Sequence, residues 1–235
     1  MGISGSKPKK QIAEAKPPLI TPYTKAEAAK RVLESLQNWE GITKEANLNE
    51  DGFPQKQLAK LHNGVFLNQK RQKYWVDKMG KNCFMLYAKD FHIVWGDNDN
   101  HWHWTQLDTP SSEKGVEVAE LFKVSWLEVR GGFDTKKLSD DTSYEVSFVI
   151  KMMDESFGWH CYPVNFILNL PDGSRHESKV DFSTLRPREQ WVEIPVGKFR
   201  TSPTIHGDMV ITMCEMCQLW KKGLVFKGVK IQPKI

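Results

Sequence analysis

The chain has 235 residues, 40% hydrophobic and 26% charged, enough for one sizeable core and a smaller appendage. Its formal net charge of +4 is unevenly spread: residues 1–31 hold seven of the 33 basic residues and two of the 29 acidic ones, which leaves 26 against 27 elsewhere. A body without a net positive field is poorly suited to electrostatic nucleic-acid binding, so any RNA partner falls to the N-terminal arm.

Residues 1–23 carry Lys7, Lys9, Lys10 and Lys16 among Pro8, Pro17, Pro18 and Pro22. They hold too little apolar surface to order themselves, and a flexible basic arm is expected. Met1 and Gly2 lead into Ser6, which fits an N-myristoylation pattern, with lysines directly behind it. One acyl chain binds membranes marginally, and an adjacent basic cluster supplies the second attraction, so Gly2 is a candidate lipidation site facing a membrane surface. No apolar run reaches the length of a membrane span, and no signal peptide or Asn-x-Ser/Thr acceptor is visible, so a soluble cytoplasmic chain is expected.

A helical segment follows over residues 24–64. Thr24 and Glu27 have capping-box spacing, and Ala29, Val32, Leu33 and Leu36 form one apolar stripe. Asp51, Gly52 and Pro54 interrupt it, a short helix is expected around Gln55 to Leu61, and Asn63-Gly64 marks a turn.

From Val65 the apolar period changes to two. Tyr144, Val146, Phe148, Ile150 and Met152 alternate along one stretch, and Val164, Phe166, Leu168 and Leu170 along another that ends at Pro171-Asp172-Gly173. Further strands are expected at Cys83 to Tyr87, His92 to Trp95, Val124 to Val129, Trp191 to Pro195, Met209 to Met216 and Leu224 to Ile231. Short strands without alternating helices predict an all-β, antiparallel, jelly-roll-like β-sandwich over 65–235.

Nine tryptophans are the compositional oddity. Trp95, the polar residues Asp97 to Asn100, and the run Trp102-His103-Trp104 form the densest cluster. An indole offers a flat apolar face to the C–H side of a pyranose, and Asp and Asn bond its hydroxyls, which is the chemistry of neutral-sugar recognition. Core packing is the alternative for some of these rings. Trp126, Trp159 and Trp191 are assigned to the core, Trp126 because it lies in an apolar stretch.

Catalytic and metal signals are sparse. His101 and His103, or Cys214 and Cys217, are half of a metal site each, and Cys83 and Cys161 are isolated, so no metal and no cofactor is expected. The four cysteines read as free thiols. No phosphate-binding glycine loop or nucleophile elbow occurs, and no enzyme activity is expected.

The residues resemble, in order, the phloem-protein-2 or Nictaba-like plant lectins. The match runs through Tyr74-Trp75, Gly80 to Asp90, His92 to Asp97, Val118 to Leu121, Val124 to Val129, Thr142 to Tyr144, Gly158-Trp159, Pro171 to Gly173, Arg188 to Pro195 and Gly223 to Gly228. It covers roughly residues 65–235. The resemblance implies a non-catalytic lectin for N-acetylglucosamine oligomers and the core of N-glycans, with a plant-defence role and a place in the cytoplasm of sieve elements or companion cells, or at their nuclei or membranes. It puts the sugar-site tryptophans at Trp95 and Trp102, and a carboxylate region at Glu215, Gln218 and Trp220, where Gln218 stands in place of a second acid. The alternative is a structural or RNA-transport protein of the phloem, acting through disulfide-linked homo-oligomers or the basic arm. Some relatives place an F-box before the lectin domain. Residues 24–64 are too short for one, so an adaptor role is not expected.

Overall fold

The computed structural model describes residues 1–2, 24–48, 53–107 and 113–234. Apart from Met1 and Gly2, the arm at 1–23 lies outside these residues.

Three helices come first: α1 (Lys25–Glu34), α2 (Trp39–Glu45) and α3 (Pro54–Asn63). The capping box forms as its spacing predicts: the Thr24 hydroxyl accepts from the Glu27 N–H at 3.3 Å, and Glu27 Oε2 accepts from the Thr24 N–H at 2.8 Å. Pro54 opens α3 at a position whose N–H has no helical partner. The second helix went unmarked, since seven residues with Ile42 alone buried leave no stripe to read.

The strands are β1 (Val65–Leu67), β2 (Gln72–Val76), β3 (Asn82–Tyr87), β4 (His92–Ile93), β5 (Trp102–Gln106), β6 (Glu117–Leu121), β7 (Leu127–Asp134), β8 (Ser143–Phe157), β9 (Val164–Asn169), β10 (Arg175–Val180), β11 (Trp191–Arg200), β12 (Asp208–Glu215) and β13 (Lys222–Pro233). They form two antiparallel sheets, one of eight strands and one of five ordered β10-β9-β12-β7-β4. In the larger sheet, β13 pairs along one edge with β8 and shares its other edge between β6 and β3. The hand-over from β6 to β3 falls at Gly228, φ +151°, where the register shifts and any Cβ would run into the Leu86 carbonyl.

The core lies between the sheets. Tyr144, Val146, Phe148, Ile150 and Met152 point into it from β8, as their alternation predicts, and meet Val164, Phe166 and Leu168 from β9 and Met209, Ile211 and Met213 from β12. Phe166 packs edge-on to Phe148 with ring centroids 5.1 Å apart. Burying each such side chain contributes about 1.5–3 kcal/mol.

The helices join this core. Leu33, Leu36, Ile42 and Leu61 belong to the same apolar cluster as the strands. Buried Asn82 ties the two parts together: its Nδ2 donates to the carbonyls of Gln37 at 3.0 Å and Lys137 at 2.7 Å, and its Oδ1 accepts from the Tyr74 hydroxyl at 2.9 Å.

Candidate functional site

At one end of the sandwich three connections converge: Val94–His101 between β4 and β5, Phe122–Trp126 between β6 and β7, and Met216–Lys221 between β12 and β13. Backbone bonds bring them together. The Val94 N–H donates to the Glu128 carbonyl at 3.0 Å, which extends the β4–β7 pairing and sets Trp95 beside the start of β7. Val124 and Lys221 exchange backbone bonds at 3.1 and 2.7 Å, which brings Trp220 alongside Phe122–Trp126. The His101 carbonyl accepts from the Phe122 N–H at 2.9 Å and the Lys123 N–H at 3.2 Å, and Nδ1 of its ring lies 2.7 Å from the Lys123 carbonyl.

Each connection presents an exposed indole: Trp95 at 57%, Trp126 at 50% and Trp220 at 48% exposure. The Trp95 ring is 5.5 Å from that of His101, and the Lys123 ammonium sits 4.7 Å above the Trp220 ring. The Trp126 indole N–H points to Glu128 Oε2 at 3.4 Å. Polar groups from the turn, Asp97, Asp99 and Asn100, are exposed next to Trp95.

Trp95 holds its place with strain. Its φ of +63° lies in the left-handed region, where a bulky side chain costs about 1–3 kcal/mol. The turn that forces it is tightly bonded: Gly96 N–H donates to the Ile93 carbonyl at 2.8 Å, Asn98 N–H to the Trp95 carbonyl at 3.0 Å, and Asn100 N–H to Asn98 Oδ1 at 3.0 Å.

Beneath the platform lies a buried ion pair. Lys221 contacts Glu215, and its ammonium also donates to the carbonyls of Ser125 at 2.6 Å and Leu219 at 2.9 Å. Glu215 Oε1 accepts from the Cys217 N–H at 3.1 Å. Burial pushes the Lys221 ammonium down to about 8, which leaves it charged at neutral pH beside its carboxylate. Gly158, φ +89°, permits the Trp220 backbone to approach so closely that a Cβ would overlap the Trp220 carbonyl.

The sequence-derived site is redrawn at three points. Trp102 is 1% exposed, its ring in the core and its N–H donating to the Val94 carbonyl at 3.1 Å, so it has no face open for a sugar. Parity explains it: Trp102 follows the inward side of β5, and Trp104 on the same side is half-buried under Lys89. Glu215 is buried and already engaged, so it shapes the connection instead of reaching ligand. Trp126, assigned to the core, is a surface ring. It has the parity of Glu128 and Arg130, opposite to buried Leu127 and Val129, and that alternation was the readable signal. Trp95, Gln218 and Trp220 are exposed at this end. Trp159 is buried, its N–H donating to the Lys222 carbonyl at 2.9 Å, and Trp191 is half-buried beneath Lys151 and Lys227.

Next to the platform a groove of about 870 Å³ runs past Cys161, Tyr162, Lys179, Glu215, Cys217 and Gln218. All four cysteines are free: Cys83 and Cys214 buried, Cys161 exposed and Cys217 half-buried. Among the described residues, no group of three or more His, Cys, Asp or Glu is placed to hold a metal, and no helix is long and apolar enough to cross a membrane.

A family model described as Phloem protein 2 matches residues 81–233. Phloem protein 2-like A1 of Arabidopsis thaliana is 39% identical over 228 residues, covering 95% of this chain and 89% of that protein. A protein of Luffa acutangula named as a lectin is 39% identical over 206 residues, covering 84% of this chain and 94% of that one. Among solved structures, the C-terminal CBM6 module of a marine laminarinase from Zobellia galactanivorans matches with a TM-score of 0.37 at 12% identity, over 64% of this chain and 99% of that one.

Proposed function

The chain belongs to the phloem protein 2 family, and from that premise we propose that it is a non-catalytic lectin that binds glycans containing N-acetylglucosamine, with Trp95, Trp126 and Trp220 as the binding surface. The observation that carries this reading is the convergence of three half-exposed indoles from three separate connections at one end of the sandwich. Exposed rings in such number are costly to keep in water unless something covers them, and pyranose C–H faces fit them. Glu128, Asp97 and Asp99 supply acceptors for sugar hydroxyls and for an acetamido N–H, and Lys123 supplies a donor. The buried Glu215–Lys221 pair holds two of the three connections in register.

The test is a glycan array followed by chitotriose titration of the wild type and of Trp95→Ala, Trp126→Ala and Trp220→Ala. Each folded variant should lose about tenfold or more in affinity, as for loss of 1–3 kcal/mol of ring burial. Chitotriose should come back uncleaved. Failure to bind any N-acetylglucosamine glycan, or full affinity in all three variants, rejects the reading.

Exposed Cys161 and half-buried Cys217 on one groove favour a second reading, thiol-linked self-assembly in the phloem. A band of doubled mass on a non-reducing gel, absent in Cys161→Ser, would support it.

A further inference from the structure

The outer face of the larger sheet, turned away from the core, carries a second concave site. Residues directly paired across antiparallel strands point to one face, and the register lines up a set of them here. Lys73 of β2 pairs with Met85 of β3, and Met85 with Lys230 of β13. Val149 of β8 pairs with Glu193 of β11 and, on its other side, with Gly228 of β13. Their chain neighbours Tyr74, Phe84, Val229, Phe148 and Ile194 all lie in the core, which puts these side chains outside. Glycine in the middle of the Tyr87–Gly228–Val149 row leaves no side chain to fill its centre. A cleft of about 360 Å³ opens on this face, with His62 and Asn63 from the end of α3 in its wall. Its size falls within the roughly 300–1,000 Å³ of small-molecule sites.

The floor is apolar. Met85 and Val149 are buried in a second cluster, separate from the main core, and half-buried Trp75 packs against that cluster and lines the cleft. The polar lining is made largely of ion pairs. The Lys230 ammonium lies 2.8 Å from Glu193 Oε1, and the Lys227 ammonium 2.8 Å from Glu113 Oε2. The other Glu113 oxygen accepts from the Tyr87 hydroxyl at 2.8 Å, so this carboxylate is held at both ends. Lys73 adds a third ammonium, and the ring of His62 is anchored by the Val76 carbonyl, 2.9 Å from its Nδ1. Three ammonium groups against two carboxylates leave no large excess of either sign, so the lining does not select a multiply charged ion. A lysine bonded to a glutamate instead presents a donor and an acceptor side by side, already fixed in place, and neighbouring hydroxyls on a ring match that arrangement.

We infer that this cleft binds one neutral hexopyranose residue, its C–H face on Trp75 and Met85 and its vicinal hydroxyls at the Lys230–Glu193 and Lys227–Glu113 pairs. An indole beside an apolar floor suits the C–H side of a pyranose, and the two ion pairs supply its polar edge. The site is distinct from the tryptophan platform. β13 starts at Lys222, next to Trp220, and Lys227 and Lys230 lie five and eight residues further on, roughly 17 and 26 Å at about 3.3 Å per residue. One chain can therefore hold two saccharides at once, on different faces.

The experiment follows the Trp75 indole, the Met85 methyl and the His62 ring by NMR in the full chain. The methyl glycosides of glucose, galactose and mannose are each added to millimolar excess, as are cyclohexanol and inorganic phosphate. At least one glycoside should move all three signals. Cyclohexanol, which has the apolar ring but a single hydroxyl, and phosphate, which has only charge, should move none. Glu193→Ala and Lys230→Ala should each weaken binding of that glycoside about fivefold or more. Chitotriose should still move the Trp95 and Trp220 indoles in both variants as in the wild type, which shows that they are folded. Unmoved signals with all three glycosides, an equal response to cyclohexanol or to phosphate, or full affinity in either variant overturns the inference. None of these outcomes bears on sugar binding at the tryptophans, which the chitotriose arm reports separately.

Discussion

The carboxylate of Glu215 and the ammonium of Lys221 meet in the interior directly beneath the tryptophan platform, both almost wholly out of solvent. They come from the end of β12 and the residue before β13, and Lys221 adds bonds to Ser125 and Leu219, so one charged pair joins two of the three connections that carry the exposed rings. Removing one partner strands a buried charge, at a cost of about 3–5 kcal/mol. Lys221→Met and Glu215→Leu should each destabilise by about that amount in urea unfolding. The double variant should regain much of the stability yet bind chitotriose more weakly, because the connections lose their register. Additive losses in the double variant would show that the two groups do not act as a pair.

Trp95 separates binding from stability. Trp95→Ala should leave the circular dichroism spectrum unchanged and weaken chitotriose binding tenfold or more. Trp95→Gly should bind as poorly, but melt above the alanine variant by a margin equivalent to about 1 kcal/mol, because glycine adopts a positive φ without penalty. Equal melting of the two variants would remove the argument for strain.

Trp102 and Trp126 should behave in opposite ways. Trp102→Ala should destabilise by about 3–5 kcal/mol, as large-to-small changes in a packed core do. Trp126→Ala should fold normally and lose affinity. A stable Trp102→Ala with lost binding would return that ring to the site.

Glu113 gives a pH-dependent prediction. Burial pushes its carboxyl up, but the Lys227 ammonium at 2.8 Å and the Tyr87 hydroxyl at 2.8 Å outweigh this and hold it below the ordinary 4.5. A carboxyl lowered in the folded state stabilises at pH values above its unfolded value, and that contribution fades as pH falls through the folded one. Glu113→Gln should therefore cost about 1–2 kcal/mol at neutral pH, and the gap between wild type and variant should close in acid, below about pH 4. A gap independent of pH would point to packing instead.

At the other end of the chain, Gly2 should carry an acyl group in plant-expressed protein. Intact-mass measurement should show the added myristoyl mass, and Gly2→Ala should shift the protein from the membrane pellet to the soluble fraction. An unmodified N-terminus ends that expectation.

The sandwich was legible wherever one strand face is buried and the other is not. β8 and β9 announced themselves through alternation, and the switch from helix to strand at Val65 falls at the start of β1. β10 did not: Arg175 to Val180 has only exposed and half-buried positions on a sheet edge, so no apolar rhythm marks it. The site was half legible. The cluster around Trp95 drew notice through composition, but which indoles face water depends on register across β5–β6 and β7–β12, and that is fixed by partners far away in sequence. Glu215 stands apart for a similar reason, since the pairing that consumes it is made by a lysine whose burial follows from the Val124–Lys221 bridge.

The central position of β13 has a consequence for how the protein is made. Every other strand among the described residues precedes it in the chain, yet β8 lies on one side of it and β3 and β6 on the other. While a ribosome is still building the chain, the larger sheet remains three unjoined pieces with open edges, β1-β2-β3, β5-β6 and β8-β11, and none of them can close over the common core. Folding thus has to end with the insertion of one late strand between partners laid down much earlier, a long-range step of the kind that slows β proteins and exposes them to aggregation. Chaperone protection of nascent chains should matter most in the interval before Lys222–Pro233 emerges.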